Sequence, residues 1–190
     1  DHETHLIEWL HKIKDEKDGR LRYQGKKQDL ALSFCAQKRV AIDVGSHIGL
    51  WSFYLAKQFD TVHAFEPVQY HRACFEENLQ AANVILYSCA LGDAEGGISM
   101  HTSLGSSGDS WVNGEGEIPM HRLDSYGFSD VDLIKADCEG GSLAERRGPE
   151  PAELLPALRR LGEKFARQFA PALAALLGSD EPAVTPLAAQ

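Results

Sequence analysis

Short apolar runs alternate with segments of helical period through the middle of the chain. The predicted strands cover residues 39–44, 61–65, 83–91 and 131–137. Amphipathic segments at 51–59 and 69–78 predict helices between the first three strands, with Ala73, Phe75 and Leu79 as the buried stripe of the second helix. Strand and helix in alternation are typical of a parallel α/β sheet. The carboxyl ends of all its strands then lie at one edge, where ligands bind.

The flanking segments have weaker patterns. An amphipathic period over residues 3–17 predicts a lead-in helix, the polar stretch 18–27 predicts a loop, and residues 29–37 predict a second short helix. Between 95 and 127, frequent glycines interrupt short apolar runs, which favours an edge hairpin or a loop-rich insertion. We therefore expect a lead-in over 1–37 and a sheet domain over 38–141.

The first strand leads into the turn Gly45-Ser46-His47-Ile48-Gly49. We expect Gly45 to adopt positive φ, Gly49 to allow close packing of helix and strand, and the N–H groups of the turn to face a ligand. The dinucleotide pattern G-x-G-x-x-G is absent, and Asp43 precedes the turn. A carboxylate there would repel a pyrophosphate and suits a cationic ligand such as S-adenosylmethionine.

A second acid supports a cofactor site. Glu66 follows the second strand, where an acid can accept both ribose hydroxyls of a nucleoside. A glycine turn alone is equally compatible with an ordinary connection between strand and helix. The acid at this spacing favours a cofactor.

Composition and charge limit the remaining function classes. The chain has 190 residues, 43% of them hydrophobic, and a net charge of −9, which disfavours nucleic acid or an anionic membrane as the main partner. No apolar run approaches the roughly 20 residues of a membrane span. The four cysteines form no C-x-x-C pair, so we expect neither a zinc site nor a disulfide framework, and a cytoplasmic location.

Five sequence blocks together resemble the FkbM family of S-adenosylmethionine-dependent methyltransferases. They occur in the family's order and spacing and cover roughly residues 38–141. The blocks are IDVGSHIG at 42–49, AFEP at 64–67, ALGD at 90–93, LDS at 123–125 and DLIKADCEG at 132–140. The resemblance implies a Rossmann-like class I methyltransferase sheet, and methylation of a hydroxyl on a sugar, glycan or small natural product.

The resemblance also implies roles for individual residues. The cofactor-binding residues would be Asp43, Gly45, Ser46, His47, Gly49, Glu66, Ala90 and Leu91. Within this set Asp43, Gly45 and Gly49 would line the methionine side, Glu66 would hold the ribose, and Ala90 and Leu91 would lie by the adenine. Asp137 and Glu139 would face the methyl group and the acceptor. His47 stands where the family carries a less polar residue, which leaves its role open.

Methyl transfer to an alcohol needs an aligned acceptor and a group that takes its proton. Asp137, at the end of the fourth strand, is the first candidate base, although an acid there can equally cap a helix or shape the pocket. The other candidates are Glu139, His47, His101 and His121. His63 is expected in the core and Lys135 in a salt bridge or with its ammonium group reaching solvent. No ligand spacing indicates a metal.

The composition changes after residue 141. Residues 142–190 hold six of the eight prolines, six basic and six acidic residues, and no Ile, Tyr, Trp or His. Helical stretches at 152–161 and 163–177 replace the strands expected from the family, and they predict either a cover for the open sheet edge or a contact for self-association. Three functions stay open: an O-methyltransferase, a protein that binds S-adenosylmethionine without turnover and, disfavoured by Asp43, an NAD-dependent dehydrogenase.

Overall fold

The computed structural model describes residues 5–13, 15–17, 20–102 and 110–137. In chain order the elements are α1 (His5–Ile13), β1 (Glu16–Lys17), β2 (Arg20–Leu21), α2 (Gly25–Ser33), β3 (Val40–Val44), α3 (Leu50–Leu55), β4 (Thr61–Phe65), α4 (Gln69–Asn78), β5 (Val84–Tyr87), β6 (Ala90–Leu91), β7 (Gly96–His101), β8 (Trp111–Glu115), β9 (Ile118–His121), a 3-10 helix (Leu123–Tyr126) and β10 (Val131–Ala136).

A four-stranded parallel sheet forms the centre of the fold, with strand order β10-β3-β4-β5. β3 lies between β10 and β4 and its last four residues are buried. A strand covered on both faces has an almost continuous apolar run, which is why the sequence pattern predicts β3. The predicted Rossmann-like α/β fold is therefore confirmed over the described residues, with the carboxyl ends of the four strands at one edge.

Each face of the parallel sheet has its own apolar cluster. On one face α2 packs against a buried cluster that combines residues of α3 and of the sheet: Ala41, Trp51, Leu55, Phe59, Val62 and Leu133. On the other face the 3-10 helix, with partly buried Leu91 of β6, covers a second buried set, Ile42, Val44, Phe65, Cys89, Leu123 and Val131. The sheet is thus a middle layer between helices and a smaller unit.

The smaller unit is a second four-stranded sheet, with order β6-β9-β7-β8, and it corrects two predictions. The expected strand at 83–91 divides at Ser88 and Cys89, so β5 stays in the parallel sheet and β6 pairs with β9. The expected hairpin or loop-rich insertion at 95–127 contains most of this sheet. Any side chain at Gly97 in β7, or at Gly116 in the connection between β8 and β9, would collide with the neighbouring backbone, so both glycines allow the close approach of these segments.

The helices differ from the prediction mainly at their ends. α1 ends at Ile13 because the short β1–β2 pair begins three residues later, and the predicted loop 18–27 contains β2 and the start of α2. α2 covers Gly25–Ser33 instead of 29–37, and α3 ends at Leu55 instead of residue 59. On α4, Phe75 is buried as expected, but Ala73 is exposed and His71 takes its place.

No helix in the described part of the chain is long and apolar enough to cross a membrane. The predicted helices at 152–161 and 163–177, and with them the tail, lie outside the described residues.

Candidate functional site

The turn between β3 and α3 has a left-handed backbone at three positions. The φ angles are 70° at Gly45, 51° at His47 and 89° at Gly49. A Cβ atom at Gly49 would lie 2.9 Å from Cδ2 of Phe75 on α4. The predicted positive φ at Gly45 is confirmed, and glycine is needed at Gly49 both for its φ and for the close approach of α4, which the sequence did not predict.

The backbone N–H groups of the turn bond within the protein. Those of Gly45 and Ser46 both donate to the carbonyl oxygen of Phe65, at 3.0 Å each, and that of His47 donates to Oε2 of Glu66 at 2.8 Å. The expectation that these N–H groups face a ligand is therefore wrong for these three positions. These three N–H groups are therefore not available to a phosphate, which is bound by free backbone N–H groups.

Glu66, directly after β4, joins the turn to α4. Its Oε1 accepts from the backbone N–H of Val68 at 2.9 Å and lies 3.2 Å from Nδ1 of His71, and the residue is 4% exposed. Burial raises the pKa of this carboxyl, but the hydrogen bonds from His71, Val68 and His47 outweigh burial and hold it below its usual value. Glu66 is thus an ionised carboxylate inside the wall of the candidate site.

Asp43, at the end of the buried run of β3, is fully buried and paired. Its Oδ1 lies 3.0 Å from the ammonium Nζ of Lys135 on β10, and Ser52 donates to Oδ2 at 2.7 Å. Lys135 also donates to the carbonyl of Gly45 at 2.7 Å, which confirms its predicted salt-bridged role. The lysine neutralises the negative charge that favoured a cationic ligand, so Asp43 supports the turn and adds little net field.

Asp137 follows β10 at the same edge of the sheet. Its backbone N–H donates to the carbonyl of Val44 at 3.1 Å, and its side chain is exposed. The structure therefore brings this acid next to the strand that leads into the turn. Glu139, the other acid expected at the acceptor, lies outside the described residues.

The segment before α2 forms a wall beside this edge. Gln24 links Trp51 at the start of α3 to Tyr23, accepting from Nε1 of Trp51 at 3.1 Å and donating to the Tyr23 hydroxyl at 3.3 Å. Burial, and next the negative charge of Asp137, raise the pKa of the Tyr23 hydroxyl. The lead-in thus places an aromatic hydroxyl within electrostatic reach of the candidate base.

Ala90 and Leu91 lie apart from the turn in chain and sheet. They form β6, are half-buried, and pair with Met120 and His121 of β9 in the smaller sheet. Their assignment to the adenine stays a prediction.

Two of the candidate histidine bases lie on the smaller sheet. Nδ1 of His121 is 2.6 Å from Oε2 of Glu95, and the Ser125 hydroxyl donates to Oε1 at 2.6 Å. Hydrogen bonds from Ser125 and His121 lower the pKa of Glu95 to about 2. His101 stacks on Trp111, with ring centroids 4.0 Å apart. Neither histidine shares an element with the turn, whereas His47 is part of it.

Two further histidines lie in or near the sheet. His63 is half-buried, 3.0 Å from the Tyr87 hydroxyl and 4.2 Å between ring centroids from Phe128, and burial lowers its pKa, in agreement with the expected core role. His71 was missed as a site residue. A stripe at intervals of four, His71, Phe75 and Leu79, would have placed it on the buried face of α4.

The residues at this edge fit a nucleoside cofactor without phosphates. The N–H groups of Gly45, Ser46 and His47 are already bonded within the protein, and Glu66 offers a buried anionic acceptor beside them. S-Adenosylmethionine has a ribose and no phosphate, so it meets both conditions, whereas the pyrophosphate of NAD does not. No group of histidine, cysteine and acidic side chains in the described residues could hold a metal ion.

No protein-family model matches the sequence, and no curated protein is similar to it. Solved structures with partial similarity include a rRNA methylase from Streptococcus thermophilus, 16% identical, with a TM-score of 0.32 over 34% of this chain and 41% of that one. SMU.1697c from Streptococcus mutans, assigned as a methyltransferase and solved with SAH, is 19% identical, with a TM-score of 0.33 over 37% and 43%.

A third similar structure covers more of the chain. It is precorrin 8w decarboxylase from Methanobacterium thermoautotrophicum, 18% identical, with a TM-score of 0.41 over 85% of this chain and 75% of that one. The match to the first two structures spans only about two fifths of their own lengths. Similarity of this extent does not determine an activity, and the resemblance to the FkbM family stays a prediction.

Proposed function

We propose that the chain is an S-adenosylmethionine-dependent methyltransferase, and that its acceptor is a hydroxyl group of a sugar, a glycan or a small natural product. The finer part, the hydroxyl acceptor, rests on the resemblance of residues 38–141 to the FkbM family. The assignment as an S-adenosylmethionine-dependent methyltransferase rests on the residues at the carboxyl edge of the parallel sheet.

One observation carries the proposal. The glycine turn and the acid after β4 form one unit, because the N–H of His47 donates to Glu66 while Gly45 and Ser46 donate to Phe65. This combination keeps a ribose acceptor beside the turn and makes three of the turn's N–H groups unavailable to a phosphate. It therefore favours S-adenosylmethionine over a dinucleotide.

The roles of the residues follow from their positions. When bound, the cofactor supplies a methyl group that is already activated by its sulfonium. Glu66 would hold the ribose, Gly49 keeps the turn packed against Phe75 of α4, and Asp137 would accept the proton of the acceptor hydroxyl. An exposed carboxylate at the end of β10 is free to meet an acceptor that arrives from solvent.

The first experiment is a calorimetric titration of the full chain with S-adenosylmethionine and with S-adenosylhomocysteine. We expect binding of both by the wild type, and loss of binding in Glu66→Ala. Glu76→Ala, an exposed acid on α4, is the matched control and should bind normally. Circular dichroism checks that each variant is folded. A folded wild type that binds neither compound contradicts the proposal.

A second candidate is binding without turnover, and one feature favours it. Among the described residues β10 is an edge strand of the parallel sheet, with β3 on its single paired side. An incomplete sheet would leave the acceptor side open. Conversion of S-adenosylmethionine to S-adenosylhomocysteine in the presence of hydroxylated acceptors supports the enzyme, whereas tight binding with no conversion across the panel supports this alternative.

A further inference from the structure

We propose that His71 is a positioning residue, which fixes the Glu66 carboxylate so that one oxygen, Oε2, receives a single ribose hydroxyl. This inference rests on the proposed function, because it concerns how the same cofactor site recognises its ligand. It assigns a role to a buried histidine that the sequence pattern alone does not identify.

The two oxygens of Glu66 have different surroundings. Oε1 has two partners, the backbone N–H of Val68 at 2.9 Å and Nδ1 of His71 at 3.2 Å. Oε2 accepts from the backbone N–H of His47 at 2.8 Å. A carboxylate oxygen has two lone pairs, so these partners fill Oε1 and leave one lone pair on Oε2.

The surroundings of His71 hold its ring in this position. The residue is 4% exposed, and its ring meets that of His47 edge to face, with centroids 4.3 Å apart and planes at 72°. The neighbouring Arg72 donates to the backbone carbonyls of Glu66 at 2.9 Å and Pro67 at 2.6 Å. The start of α4 and the end of β4 are therefore tied together on both sides of the carboxylate.

The proton on His71 follows from its partner. An ionised carboxylate can only accept hydrogen bonds, so Nδ1 of His71 must carry a hydrogen to bond with it. Without this donor, Oε1 would regain a free lone pair, while the N–H groups of Val68 and His47 would still bond one oxygen each. His71 therefore limits ribose recognition to one hydroxyl, whereas an acid with both oxygens open can accept two.

Calorimetry with three ligands tests this inference on the wild type. The ligands are S-adenosylhomocysteine and its 2′-deoxy and 3′-deoxy analogues. We expect one analogue to bind about tenfold more weakly, because it lacks a hydrogen bond to a charged group, and the other to bind within about twofold. An equal loss for both analogues would overturn the inference.

Substitutions at His71 separate positioning from folding. His71→Leu removes the donor, and we expect the two analogues then to bind within about threefold of each other. His71→Asn keeps an N–H near the position of Nδ1 and should restore the discrimination. If His71→Leu does not fold, His71→Gln, whose amide lies beyond that position, takes its place. Tyr70→Leu, at an exposed neighbour, is the control. Wild-type discrimination in His71→Leu or His71→Gln would refute the role.

Nitrogen NMR of the free chain provides a test without any ligand. We expect hydrogen on Nδ1 of His71, and its absence there would overturn the inference. Different results would contradict the proposed function and the inference about His71. A wild type that does not bind S-adenosylhomocysteine overturns the proposed function and this inference with it, whereas binding with equal loss for both deoxy analogues overturns this inference alone.

Discussion

The two edges of the parallel sheet both carry ion pairs, but in different environments. At the amino edge Arg39 contacts Asp130 and Asp132, and the side chains of Arg39, Asp130 and Asp132 are 45%, 58% and 11% exposed. At the carboxyl edge Lys135 pairs with Asp43, and these side chains are 11% and 0% exposed. Arg39 and Asp130 stay in water while Asp132 is largely covered, whereas both members of the Lys135–Asp43 pair have been removed from water.

The difference indicates what each edge is for. A buried ion pair stabilises little in net terms, because the desolvation of both charges offsets their attraction. An exposed pair loses little solvation when it forms, and it contributes little to the stability of the fold. The carboxyl edge therefore holds buried charges for the geometry of the turn, since Lys135 also bonds the Gly45 carbonyl, whereas the amino edge only fastens the starts of two strands.

The largest effect is expected when one partner of the buried pair is removed. Lys135→Met leaves the Asp43 carboxylate buried and unpaired, and we expect a loss of about 3–5 kcal/mol in the free energy of unfolding, measured with urea. The double variant Lys135→Met, Asp43→Asn should recover at least half of this loss. If Lys135→Met unfolds at the same urea concentration as the wild type, the inferred difference between the two edges of the sheet is contradicted.

The second prediction concerns the other buried acid of this edge. Glu66→Gln points an amide at backbone N–H donors, and we expect a loss of about 2–3 kcal/mol at pH 7. The folded pKa of Glu66 lies below its usual 4.5, so its stabilisation is present above that value and is lost as the pH falls through the folded pKa. In urea unfolding, the difference in free energy of unfolding between the wild type and Glu66→Gln should shrink as the pH falls from 7 to 3. A difference that stays constant over this range would contradict the prediction.

Two glycines with nearly equal φ separate crowding from backbone strain. Gly49 (φ 89°) faces Phe75 at 2.9 Å, whereas Gly114 (φ 88°) on β8 has no atom within 4 Å of a built Cβ. Gly114→Ala should lose about 1 kcal/mol from its φ alone, and Gly49→Ala up to about 3 kcal/mol. Thermal unfolding measures both losses of stability. Equal losses would show that Phe75 moves aside without destabilising the fold, and would contradict the prediction.

The smallest effect is expected at the exposed edge. Arg39→Ala removes the contacts with Asp130 and Asp132, and we expect a shift in the urea midpoint smaller than that of any variant above. The shift should shrink further in 0.5 M salt because exposed charges are screened, whereas that of Lys135→Met should persist. A large, salt-independent shift for Arg39→Ala would remove the contrast between the edges.

The sequence predicts the parallel sheet well, because β3, β4 and β10 are short apolar runs bounded by polar residues. The turn and the position of Glu66 after β4 follow from the same pattern. The smaller sheet was not predicted, since Gly97 and Gly116 carry the same local signal whether they end a strand or let two strands approach.

The pairings within the site depend on contacts that local sequence does not encode. Lys135 faces Asp43 only because β10 lies next to β3 in this register. The contact of His71 with Glu66 requires α4 to pack against the end of β4. These are tertiary relations, so composition and periodicity identify the residue types and leave their partners undetermined.

The pairing of β10 with β3 also bears on how the chain reaches its fold. Val131 pairs with Val40, roughly ninety residues earlier, whereas β3, β4 and β5 are close in sequence. Contacts between distant segments form slowly, because a long loop must close before they add any stability. During synthesis one side of β3 therefore stays without its partner β10 until residue 136 has left the ribosome. Lys135 lies on β10, so Asp43 acquires this counter-charge only when β10 joins the sheet.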